Sequence, residues 1–247
     1  MCRICEEPIE SLLGLTTLCC SFCPLLVAIP AELVNLRELS CFLCPLLASI
    51  PGTLTELVRL DCSYCPLLAS TPNTLVRLTD LNCSGCPLLE AIPSTFVQLL
   101  YLSCTDCPRL VSLPPTLSQL VRLICSRCPL LAFIPSTFVE LRNLVCANCP
   151  RLVSIPPTLV RLTCIDCVRC PWIPYNAHMY PNHLPSLLRL QRWFRTGKKQ
   201  VFKRVIRTRA FNEFVFHPDQ IGGKAVKRQL EVELGAMRPA KQEQRVE

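Results

Sequence analysis

Apolar residues recur along this chain with a fixed step. The order Leu-x-x-Leu-x-Cys-x-x-Cys-Pro-x-Leu-x-x-Ile-Pro returns every 21 residues, eight times, without an insertion. The second cysteine of each unit marks the register, at Cys23, Cys44, Cys65, Cys86, Cys107, Cys128, Cys149 and Cys170. A step near 20 residues means one supersecondary unit per repeat, stacked into a solenoid. Within one unit, Leu81 and Cys83 stand two apart, so both face one side of a short extended strand while Asn82 and Ser84 face the other. Leu78, Leu89, Ile92 and Phe96 supply further inward groups. A buried leucine contributes about 1.5–3 kcal/mol only when a neighbouring coil covers it, so the units fold together or not at all.

These units resemble leucine-rich repeats over about residues 8–174. The cysteine at the ladder position followed by x-x-Leu-x-x-Ile-Pro is similar to repeats of plant intracellular immune receptors. The short period is similar to bacterial effector repeats, and the near-identical CPLL-x-x-IP units and the tail resemble repeat proteins of large DNA viruses of amoebae. The resemblance implies an α/β solenoid with a curved parallel β-sheet on its concave side. Such a short unit leaves too little chain for a full helix opposite the strand. The Ile-Pro-x-Thr-Leu segments are therefore expected to run extended or as single 3₁₀ turns, since Pro fixes φ and donates no hydrogen bond. The expected organisation is a truncated coil or cap over 1–7, eight repeats over 8–174, a cap or linker over 175–184, a basic α-helical segment over 185–235 and a disordered tail over 236–247. Trp172, Tyr175 and Tyr180 suit the covering of a last coil's core face.

Charge divides the chain. Residues 1–184 carry 11 Arg, no Lys and a net charge of −1, whereas residues 185–247 carry a net charge of +9. Any attraction to an anionic partner thus belongs to the C-terminal segment. The longest apolar stretches are broken by Pro, Arg or Ser, so no transmembrane insertion is expected. The start, Met1-Cys2-Arg3-Ile4-Cys5, has neither a basic nor an apolar leader region. Together with 20 cysteines this suggests a reducing, intracellular (cytoplasmic) setting with free thiols.

Eight CxxC pairs invite a zinc reading, because two converging pairs suit tetrahedral coordination. Cys62, Cys65, Cys83 and Cys86 on adjacent coils would be such a set. The preferred reading is structural, with no metal and no cofactor. The first cysteine fills a strand position as a small hydrophobe, and the second uses its hydrogen to satisfy backbone carbonyls at the turn. Cys19 and Cys164 break the register and are expected to face outward as the reactive thiols. Cys2 lies 21 residues before Cys23, so it reads as part of a truncated coil. The Cys2/Cys5 pair also resembles the opening of a RING-type finger, but ligands at finger spacing do not follow.

Outward strand positions vary where inward ones repeat. One row runs Thr17, Glu38, Arg59, Asp80, Tyr101, Arg122, Asn143, Cys164, and the next runs Cys19, Ser40, Asp61, Asn82, Ser103, Ile124, Val145, Asp166. A third, past the strand, runs Phe22, Leu43, Tyr64, Gly85, Asp106, Arg127, Asn148, Arg169. Tyr and Arg set among neutral neighbours is the composition of binding hot spots, so a concave protein-binding face is expected. Phe22, Phe42 and Leu43 form an apolar patch toward its N-terminal end. Freely drifting, solvent-facing positions are the competing reading.

No catalytic constellation stands apart from the period, and Gly222-Gly223-Lys224 lacks the first glycine and the Ser/Thr of a phosphate loop. The chain reads as a non-enzymatic scaffold for an unidentified protein. A substrate-recognition adaptor for a ubiquitin ligase is an alternative. After Pro185, Leu187, Leu190, Phe194, Val201 and Val205 follow three-four spacing amid arginines and lysines. Leu190, Gln191, Trp193, Phe194 and Arg195 partly match a calmodulin-binding IQ motif. That segment is read as a docking cap, a helix for a calmodulin-like groove, or a contact for nucleic acid or anionic membrane.

Overall fold

The structure is a computed structural model, and it describes residues 2–152, 154–156, 158–167 and 169–170. Eight strands of three residues each follow one another: β1 Thr17–Cys19, β2 Glu38–Ser40, β3 Arg59–Asp61, β4 Asp80–Asn82, β5 Tyr101–Ser103, β6 Arg122–Ile124, β7 Asn143–Val145 and β8 Cys164–Asp166. They form one parallel sheet in chain order. Register is that of the repeat itself: Leu18 pairs Leu39, Leu39 pairs Leu60, and so on to Leu144 with Ile165. The middle residue of β1 to β7 is buried and that of β8, Ile165, half-buried, while the residues on either side are exposed or half-buried apart from the buried Ser103. Period-2 alternation within a period-21 repeat produces this face directly.

The return path of each coil is a chain of tight turns rather than a helix. Among the described residues the sole α-helix is α1, Arg3–Glu6. In the first turn Leu89 N–H donates to Cys86 O at 3.2 Å, and Leu68 to Cys65 at 3.2 Å. Pro87 and Pro66 occupy the second position of these turns, where a fixed φ fits and no N–H is needed. In the second turn the carbonyl of the Ile-Pro proline accepts, as Phe96 N–H to Pro93 O at 3.4 Å. A third turn follows at once, Leu99 N–H to Phe96 O at 3.1 Å. The expected single 3₁₀-like turns are present.

The interior is a stack of columns. Leucines, cysteines and isoleucines at equivalent positions are buried from Leu12 to Cys170, and Phe96 and Phe138 fill the place of a leucine in their coils. Two side-chain ladders bind the coils besides the strand backbone. On the turn side, Thr53, Thr74, Thr95, Thr116, Thr137 and Thr158 each donate Oγ1 at 2.6 Å to the carbonyl 22 residues earlier. Inside, the second cysteine of each coil donates its thiol to the carbonyl of the first cysteine one coil back. These are Cys44 to Cys20 at 3.2 Å, Cys65 to Cys41 at 3.2 Å, Cys86 to Cys62 at 3.3 Å, Cys107 to Cys83 at 3.3 Å, Cys128 to Cys104 at 3.1 Å, Cys149 to Cys125 at 3.1 Å and Cys170 to Cys146 at 3.0 Å. Each satisfies a carbonyl that would otherwise lie buried without a partner, at a cost of about 1–3 kcal/mol.

The N-terminal residues, expected as a truncated coil or cap, form α1 and a 3₁₀ turn, Ile9–Ser11. Cys2 and Leu12 enter the core, with Ile4, Ile9 and Leu15 packed against it. Arg3 grips Glu7 through two bonds of 2.6 and 2.8 Å, and Ser11 Oγ donates to Glu7 at 3.1 Å. The readings of the C-terminal cap, the basic helix with Leu190, Gln191, Trp193, Phe194 and Arg195, and the tail all fall outside the described residues. Among the described residues no helix is long and apolar enough to cross a membrane.

Candidate functional site

The outward face of the sheet sets one varying side chain per strand beside the next, about 4.8 Å apart. Over β1 to β5 it bounds a shallow depression of about 400 Å³, lined among others by Glu38, Arg59, Asp61, Asp80, Asn82 and Tyr101. The first row alternates in charge. Arg59 donates to Glu38 at 3.0 Å and stands 3.9 Å from Asp80. All of these groups are well exposed, so the pairs contribute about 0.2–1 kcal/mol and an incoming carboxylate or cation displaces them at little cost. Further along, the Arg122 guanidinium sits 5.6 Å above the centre of the Tyr101 ring. That cation–π contact joins the two side chains across β5 and β6.

The second row is different in kind. Asp61 accepts from the amide and hydroxyl of Ser63, at 3.0 and 2.6 Å. Asn82 accepts from the Ser84 amide at 3.3 Å and donates to Ser63 Oγ at 3.4 Å. Both lie in the depression, yet their polar atoms tie down the loop that leaves the strand. A column of small hydroxyl residues supports the same loop. Ser84 Oγ lies 2.8 Å from Ser103 Oγ and accepts from the Thr105 amide at 3.2 Å, while Ser126 Oγ accepts from the Ala147 amide at 3.1 Å. This column was visible in the sequence as Ser63, Ser84, Thr105 and Ser126, one repeat apart.

The third row has an unanticipated backbone. Phe22, Leu43, Tyr64, Asp106, Arg127, Asn148 and Arg169 all adopt φ between 55° and 61°, and Gly85 takes φ 68°. The chain turns left-handed once per coil, just past the strand. A non-glycine residue there costs about 1–2 kcal/mol, and Gly85, with Asp106 and Asn148 as weaker signs, marked the position in the sequence. A Cβ at Gly85 would stand 2.5 Å from the Tyr64 ring, so the glycine also makes room for that ring. The left-handed turn throws these side chains clear of the sheet: Phe22 and Tyr64 are at least half exposed. Phe22 meets Phe42 edge to face at 4.6 Å, and Arg127 forks onto both carboxylate oxygens of Asp106. Asn143, Asn148 and Asp166 extend the rows toward the last strands, half-buried.

The thiols separate into two populations. Burial pushes Cys41, Cys62, Cys83 and Cys125 well above the ordinary thiol range, so they remain neutral donors inside the core. Cys19 and Cys164 are exposed, and the Ser21 amide and hydroxyl draw Cys19 below its usual value. At the N-terminal end a third arrangement occurs. Cys5 Sγ lies 3.7 Å from Cys2 Sγ and 3.6 Å from Cys23 Sγ. Burial opposes ionisation of Cys23, but the amides of Leu25 and Cys2 and the two neighbouring thiols bring it down to about 7.

Residues 77–99 match the leucine-rich repeat family profile. A search of curated proteins found no match. Among solved structures, the leucine-rich repeat domain of the type III effector XopL superposes with a TM-score of 0.56 at 21% identity, covering 67% of this chain and 65% of that one. The functional domain of InlJ from Listeria monocytogenes, whose structure is described as including a cysteine ladder, gives 0.42 at 22% identity, covering 68% and 47%. The plant peptide hormone receptor RGFR1, solved with RGF2, gives 0.42 at 19% identity, covering 66% and 34%. The chain spans less than two thirds of each of these structures. The fold is thus that of leucine-rich repeats.

Proposed function

We propose that this chain is a non-catalytic scaffold that binds a protein partner on the outward, concave face of its sheet. One observation carries the reading: inward positions hold leucine or cysteine coil after coil, while the adjoining outward positions differ at every step and project Tyr64, Tyr101, Arg122 and Arg127. Rigid aromatics and arginines held in place by stacking and ion pairs lose little freedom on binding, which favours affinity. The partner's complement is a surface with acidic groups toward Arg122 and Arg127 and basic groups toward Glu38 and Asp80. The chemistry of this face supplies neither a nucleophile with a base nor a pair of carboxylates isolated from counter-ions.

Affinity capture from extract followed by titration of each purified captured protein tests the proposal. Arg122→Ala together with Tyr101→Ala is expected to weaken a true partner by more than tenfold, since a hot-spot loss exceeds about 1.4 kcal/mol. Val76→Ala with Val97→Ala, on the turn side, is expected to leave it unchanged. Equal binding by both variants overturns the assignment of the face.

A further inference from the structure

The ladder thiols and the N-terminal thiols do different work. From Cys44 onward the second cysteine of each coil points its hydrogen at a carbonyl one coil back. Ahead of Cys23 stands α1 rather than a coil, and Cys23 Sγ faces another sulfur instead. Among the described residues this is the one place where three thiols gather, with all three sulfurs of Cys2, Cys5 and Cys23 within 4.8 Å of one another. In the ladder, by contrast, the second cysteine of each coil has a carbonyl one coil back as its acceptor, and among the described residues no other three sulfurs lie so close together.

The spacing of the sulfurs matches a coordination sphere. Zinc binds thiolates at about 2.3 Å, so two sulfurs on a tetrahedron around it stand about 3.8 Å apart. Cys2 to Cys5 and Cys5 to Cys23 measure 3.7 and 3.6 Å. Cys20, buried and facing Cys2, stands outside this group of three and would have to turn toward it to supply a fourth sulfur. The four fall in the order Cys2-x2-Cys5-x14-Cys20-x2-Cys23. Paired CxxC units separated by roughly 15–20 residues are a zinc-binding arrangement, and this one is a residue shorter. Cys5 is exposed while Cys2 and Cys23 are buried, which gives an ion an open approach and a closed seat. From this geometry we propose that Cys2, Cys5 and Cys23, with Cys20 as the fourth donor, form a zinc site that fastens α1 to the first coil. Binding replaces the thiol protons with the metal and releases them to solvent, with no change of oxidation state.

The test is cobalt(II) titration of the reduced, metal-free full chain, followed by zinc displacement. One equivalent of cobalt is expected to give the absorption of a tetrahedral thiolate complex, and zinc to abolish it. Cys5→Ser, at an exposed position the core does not use, is expected to weaken cobalt binding by more than the roughly 100-fold that loss of a supporting group causes. Cys19→Ser, an exposed thiol on the sheet face outside the group, is expected to leave it intact, and circular dichroism confirms that both variants fold. No tetrahedral thiolate band, or binding by Cys5→Ser equal to that of the parent chain, overturns the site. Neither result bears on the binding face, whose test uses other residues.

Discussion

On the inward side of the strands, Leu18, Leu39, Leu60, Leu81, Leu102, Leu123 and Leu144 stack like upon like and end at Ile165. On the outward side of the same strands, one residue away, the row passes from Thr17 through Glu38, Arg59, Asp80, Tyr101 and Arg122 to Asn143 and Cys164, and no two neighbours agree. Backbone, spacing and register are common to both sides. What differs is the surroundings: an inward side chain must fit the coil before and the coil after, while an outward one meets mostly water. Uniformity therefore measures constraint by neighbours, and variety marks the positions released from it.

That contrast can be strained hardest with alkali. The sealed thiols Cys41, Cys62, Cys83 and Cys125 hold their protons well above the ordinary range because burial disfavours the thiolate. An unfolded chain releases them near pH 8.5 while the folded chain retains them. The stability they contribute is whole below about pH 8.5 and drains away as pH rises toward their folded values. Each of Cys41, Cys62, Cys83 and Cys125 acts in this direction, so their losses add as the pH rises. Urea midpoints measured between about pH 7 and pH 10 should fall steeply in the upper part of that range; a flat profile would mean the thiols are open to water.

A milder contrast comes from substituting the two faces in parallel. Leu102→Ala is expected to cost about 2–5 kcal/mol in urea unfolding, because neighbouring coils cannot close around the void. Arg122→Ala, on the neighbouring strand's outward face, should change stability by less than about 0.5 kcal/mol. Comparable losses at both positions would erase the distinction between faces. The finest comparison lies within the core. Cys86→Ala strands the Cys62 carbonyl and is expected to cost about 1–3 kcal/mol, whereas Cys86→Ser keeps a donor and should recover part of the loss, read in the same unfolding experiment. If serine proves no better than alanine, the thiol is filler rather than a hydrogen-bonding rung.

Much of the architecture was legible because a period repeats its message. Leu81 and Cys83 two apart, and Pro87 and Pro93 in turn positions, announced strand, inward face and turns. The role of the second cysteine as a donor to buried carbonyls was also legible, since a small polar hydrogen at a turn has few other uses. The left-handed residue was not. Phe22, Leu43, Tyr64 and Arg127 carry no trace of a positive φ, and one glycine in eight units was read as variation rather than as the key to the others. Asp61 and Asn82 were read as contact residues from their place in the row; each also accepts from the amide two residues on, a local turn that Asp and Asn favour. At the N-terminus, counting 21 back from Cys23 placed Cys2 in a coil; the helical turn of α1 instead carries Cys2 and Cys5 together against Cys23.

The threonine rungs on the turn side carry a lesson about growth. Every one reaches the same atom type at the same 2.6 Å, and none depends on which coil it joins. A whole coil copied into the array would find its donors and acceptors already waiting above and below. Unequal recombination could then lengthen or shorten the protein in steps, each adding or removing about 4.8 Å of sheet without redrawing a single joint.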